Sequence, residues 1–89
     1  MAQITLTQAQ QDALKEALEK AETEQNAVIN VYQPNLTAGE ARRDAAYTKV
    51  ESGMSAIGET TGTITELHLE KDSETGLWTG KVFINEALP

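Results

Sequence analysis

The sequence predicts an α+β fold: two antiparallel helices packed on a small antiparallel β-sheet. Three observations predict it. Residues on either side of Asp72–Gly76 alternate between apolar and polar, as the two strands of a hairpin do. Two earlier stretches repeat apolar residues at three- and four-residue steps, the helical period. Pro34 separates those stretches, with too few residues around it for anything but a fold-back connection. Helices gathered on one face of such a sheet form a normal two-layer solution.

Residues 3–6 begin the chain's pattern. Ile4 and Leu6 alternate with Gln3, Thr5 and Thr7, which predicts a short strand able to pair with one edge of the hairpin. A loose leader is the competing reading. The segment MAQITLTQAQQ has neither the basic run and apolar core of a signal peptide nor the length of a membrane span.

A helix follows over about 8–32. Thr7 and Gln10 match the T-x-x-Q capping box that opens it. Ala9, Ala13, Leu14, Ala17, Leu18, Ala21, Val28, Val31 and Tyr32 form its apolar stripe, interrupted at Glu24 and Gln25. Asp12, Glu16, Glu19 and Glu22, with Lys15 and Lys20, read as a solvated face. The second helix is expected over about 38–57, opened by a capping box at Thr37 and Glu40. Ala46, Tyr47, Val50, Met54 and Ile57 make its stripe. Gly53 inside it suggests close packing, and Gly58 suits a left-handed residue just past its end.

The hairpin is expected over about 62–85. With Gly76 left-handed, Asp72 pairs with Leu77 and Lys71 with Trp78; Leu69 then faces Gly80, Leu67 faces Val82 and Thr65 faces Ile84. That register puts Thr65, Leu67, Leu69, Trp78, Gly80, Val82 and Ile84 on the core face, with Gly80 leaving room for the indole. The other face holds Glu66, His68, Glu70 and Lys81, and also Ile64 and Phe83. Two apolar residues on that face suggest a cover, so Ile64 and Phe83 are the candidate interface residues. Residues 86–89 read as a tail.

Eighty-nine residues, with one Trp, two Tyr and one Phe, make one domain with a small core. With no cysteine there is no disulfide or thiolate–metal staple. An unprotected hairpin edge adds to the expectation of a homo-oligomer. A formal net charge of −7 argues against binding nucleic acid or an anionic membrane, and suits a basic protein partner. Size, acidity and the absence of cysteine fit a cytoplasmic protein, in the manner of small proteins encoded by phages or mobile elements.

No catalytic residue, metal site or cofactor motif is expected. His68, the one histidine, lies between Glu66 and Glu70 without a nucleophile or enough converging ligands. Exposed carboxylate pairs such as Asp12 and Glu16 lack the pocket that acid–base work needs. Arg42 and Arg43 are the only arginines, and they fall where a helix begins, an unfavourable place for cations. With Tyr47 one turn on, they form a candidate site for a small anionic ligand such as a nucleotide. Pairing with acidic neighbours is the plainer alternative. The expected function is therefore non-catalytic: an interaction or inhibitor protein, or else a structural component of a larger assembly such as a virion.

Overall fold

The computed structural model describes residues 2–31, 33–59 and 61–87. Strand β1 (Ala2–Thr5) leads to helix α1 (Gln8–Asn30), a 3-10 turn (Gln33–Asn35) and helix α2 (Leu36–Ala56). Strands β2 (Ile64–Lys71) and β3 (Trp78–Glu86) form the C-terminal hairpin. The sheet is antiparallel throughout, in the order β1-β3-β2, so β3 is central and the other two are edges. The helices pack against one face of this sheet, and the α+β arrangement is the one the sequence predicts.

Helix α1 starts as its capping box dictates. Thr7 Oγ1 accepts the Gln10 N–H at 3.3 Å, and Gln10 Oε1 accepts the Thr7 N–H at 2.9 Å. Its core contribution is narrower than the stripe suggests: Leu14, Leu18, Ala21 and Val28 are buried, while Ala9 and Ala13 are exposed. The helix ends at Asn30 with Val31 as its cap; Tyr32 lies outside the described residues.

Helix α2 starts earlier than its second capping box implies. Asn35 is the cap, its Oδ1 accepting the Ala38 N–H at 3.3 Å. Asparagine caps better than threonine, and Asn35 directly follows Pro34 in the 3-10 turn, so Thr37 is taken into the helix. Arg42 and Arg43 consequently sit in the second turn, beyond the unpaired N–H groups of the helix start. Gly53 brings the helices together as expected, since a Cβ there would lie 2.5 Å from Leu14 Cδ2. Gly58 takes a φ of +85° and closes the helix.

The hairpin turn also forms as expected. Gly76 has a φ of +70°. The Asp72 N–H donates to the Leu77 carbonyl, and the Gly76 N–H donates to the Asp72 carbonyl, both at 2.8 Å. Lys71 faces Trp78, but the register then departs from the even pairing. Leu69 faces Val82 and Leu67 faces Ile84, because β3 carries two extra residues around Gly80, whose φ is +92°. A shift of two residues preserves the alternation of faces, so Leu67, Leu69, Val82 and Ile84 still turn inward. The space beside Gly80 belongs to the Gln11 side-chain amide rather than to the indole. That amide in turn donates to the Leu6 carbonyl at 2.9 Å.

A second irregularity, between Ile64 and Glu66, shifts the register by one residue and reverses the faces at that end. Ile64 is 3% exposed and belongs to the core, whereas Thr65 is exposed. The expected placement of these two is corrected, and Ile64 is not on the outer face with Phe83. The strand also runs further than expected: Glu86 is in β3, and the Ala87 N–H donates to the Thr63 carbonyl at 2.8 Å. Trp78 is half-buried against the core, its Nε1 donating to the Lys81 carbonyl at 3.0 Å.

Candidate functional site

The two edges of the sheet are treated differently, and this contrast organises the surface. An edge strand presents every second backbone N–H outward, away from its neighbour. On β2 three of these outward groups meet side chains from the helices. The Leu69 N–H donates to Glu22 Oε2 at 2.8 Å, the Leu67 N–H to Gln25 Oε1 at 2.8 Å, and the Ile64 N–H to Glu51 Oε2 at 3.0 Å. Gln25 Oε1 also accepts the Tyr47 hydroxyl. Glu22 therefore does not belong to the solvated face of α1, and the hairpin edge is not unprotected. A hint of this existed in the sequence: the polar pair Glu24–Gln25 interrupts the apolar stripe where the helix turns toward β2.

Strand β1 has no comparable cover among the described residues. The Leu6 N–H donates inward to the Gly80 carbonyl at 3.0 Å. By alternation, the N–H groups of Gln3 and Thr5 point outward. Ala2, Gln3 and Thr5 are exposed, and β1 carries neither charge nor proline, the usual guards of an edge.

The face of the sheet away from the helices is centred on Phe83. Phe83 stands opposite Gln3 of β1 and is half-buried. The His68 ring stacks on it, with centroids 6.3 Å apart and planes 30° apart. His68 Nδ1 lies 3.5 Å from Glu22 Oε2. Around this pair, Lys81 Nζ approaches Glu70 Oε2 at 3.8 Å, and Asn85 Nδ2 donates to Glu66 Oε2 at 3.4 Å. Among the described residues, no group of three His, Cys, Asp or Glu side chains is placed to hold a metal ion.

Of the three residues proposed for an anionic ligand, Arg43 and Tyr47 meet at one cleft, while Arg42 lines another. Tyr47 is 2% exposed, its ring part of the core, so it offers no open face for stacking a base. Burial pushes its phenol pKa up to about 12, against a smaller opposing effect of Arg43. The Arg43 guanidinium carbon lies 5.9 Å from the Tyr47 ring centroid, and its Nε is 3.0 Å from Asp44 Oδ1. Neighbouring residues on a helix point about 100° apart, so the two arginines line separate clefts. Arg43 shares an open cleft of about 480 Å³ with the buried Tyr47 and with Asp44, Glu51, Thr63 and Thr65, one cation against two carboxylates. Arg42 lines a smaller cleft of about 140 Å³ between the helices with Lys20, Glu24, Ala45, Ala46 and Lys49, three cations against one carboxylate.

No family model, curated protein or solved structure matches this chain. Among the described residues, no helix is long and apolar enough to cross a membrane.

Proposed function

We propose that the chain is a non-catalytic interaction protein that engages its partner on the β1 side of the sheet, first of all a second copy of itself. The observation that carries this reading is the contrast between the edges. Three helix side chains occupy outward N–H groups of β2, those of Ile64, Leu67 and Leu69, while Gln3 and Thr5 of β1 offer theirs to an added strand. Antiparallel pairing of β1 with its own copy sets no like side-chain charges opposite one another, because Ala2–Thr5 is uncharged. Such a contact is isologous and closes on itself as a two-fold dimer. It would extend the sheet across both copies and bring two Phe83–His68 pairs onto one surface.

That surface supports a second reading. Glu66 and Glu70 flank the aromatic pair, and the chain is acidic overall, so the outer face suits a basic protein surface. Action in the cytoplasm as an inhibitor, or as a component of an assembly such as a virion, belongs to this second reading.

Sedimentation velocity across a concentration series tests the first. Thr5→Pro removes one outward donor and leaves the inward bonds of β1 in place. The wild type is expected to dimerise with rising concentration, more readily as salt screens the −7 charge of each copy, and the variant to remain monomeric. A dimer that survives Thr5→Pro unchanged would refute the edge contact.

A further inference from the structure

We propose that the cleft between α1 and α2 lined by Lys20, Arg42 and Lys49 binds a small phosphate-bearing ligand that also offers an N–H or O–H donor. The chain has 14 acidic and 7 basic residues, yet three of the basic ones meet here with Glu24 as the single carboxylate. They come from both helices: Lys20 stands one turn before Glu24 on α1, and Arg42 and Lys49 stand two turns apart on α2. Ala45 and Ala46 lie between the last two and form an apolar floor. Short side chains at those positions leave the cleft its depth.

Three cations carried on two packed helices make a positive patch on a negative molecule. A phosphate group, with several acceptor oxygens and up to two charges, can engage all three at once. Glu24 adds a second requirement. Its Oε2 is buried and has no hydrogen-bond partner among the described residues. A buried carboxylate oxygen left without a donor is costly, so a ligand that supplies an N–H or O–H gains there. An apolar ring between the two polar groups would rest on the alanine floor. Nucleoside monophosphates have this chemistry. The larger cleft at Arg43 does not match it, because Asp44 and Glu51 outnumber its one cation.

Titration of the isotopically labelled protein, followed by amide chemical shifts, tests the site. Inorganic phosphate, adenosine monophosphate and adenosine are the probes. Saturable shifts confined to residues 20–24 and 42–49 are expected with the first two, with the nucleotide binding more tightly. Arg42→Ala and Lys49→Ala should each weaken nucleotide binding about tenfold, the loss of one charged hydrogen bond. Arg43→Ala and Lys71→Ala should leave it unchanged. Shifts that do not saturate, or that fall equally in Lys71→Ala, would overturn the site. A nucleotide no tighter than phosphate, or a preference untouched by Glu24→Gln, would overturn the role given to Glu24.

Discussion

Gln25 Oε1 accepts two hydrogen bonds at once, from the Tyr47 hydroxyl and from the Leu67 backbone N–H, the latter at 2.8 Å. One amide oxygen thus ties α1 to α2 and both helices to the edge of β2. Replacing Gln25 with Leu would leave a buried hydroxyl and an edge N–H without an acceptor. Each such group costs about 1–3 kcal/mol. Urea denaturation of Gln25→Leu should show a loss in that range or above it. The newly bare edge should also make the variant associate more readily than the wild type. Unchanged stability would mean that the oxygen is not needed by either donor.

Tyr47 makes stability depend on alkaline pH. Its folded pKa is raised to about 12, while an unfolded tyrosine titrates near ~10. Between these values the unfolded chain has lost a proton that the folded chain keeps. The stabilisation is therefore complete below the lower value and declines as pH rises through the upper one. Denaturant midpoints measured across this window should fall for the wild type. Tyr47→Phe should flatten the fall while costing about 1 kcal/mol at neutral pH for the lost hydroxyl contact.

Asp72 acts at the opposite end of the scale. The Thr75 and Glu74 N–H groups donate to its Oδ1 at 3.0 and 2.8 Å and hold its carboxyl below the usual aspartate range. A depressed folded pKa stabilises above the unfolded value and is lost as pH falls through the folded one. Acid titration of stability should therefore be shallower in Asp72→Asn than in the wild type. The difference should vanish at the lowest pH, where both side chains are neutral.

Gly80 and Gly76 both have positive φ, yet they should respond differently to substitution. A Cβ on Gly80 would overlap the Gln11 amide as well as strain the backbone, so Gly80→Ala should cost about 2 kcal/mol or more. Among the described residues nothing lies within 4 Å of a Cβ at Gly76, and asparagine tolerates the left-handed region, so Gly76→Asn should cost about 1 kcal/mol or less. Thermal melts of the two variants compare them directly.

Local signals carried most of the fold. The Thr7 capping box, the glycines at 58 and 76, and the alternation around Asp72 each act over a few residues, so the sequence states them openly. What stayed hidden depends on contacts between distant residues. The bulge at Gly80 packs against the amide of Gln11, a residue on α1. The face reversal at Ile64 accompanies a bond to Glu51 on α2. Both irregularities look like ordinary strand in a pattern of period two. The surfaces were harder still, because adjacent Arg42 and Arg43 imply one site only until the helix turns them apart. Lys20 and Lys49 join Arg42 through helix packing that no local spacing announces. Glu22 read as a solvated charge because its acceptor role toward Leu69 spans 47 residues.

Hydrogen exchange followed residue by residue across a dilution series puts the contrast between the two edges to the most direct test. The Leu67 and Leu69 amides should be protected at every concentration, because Gln25 and Glu22 hold them within one chain. The Gln3 and Thr5 amides should exchange fast when dilute and slow as the concentration rises and β1 strands pair. Concentration-dependent protection at Leu67 and Leu69, with Gln3 and Thr5 fast throughout, would contradict the proposed edge.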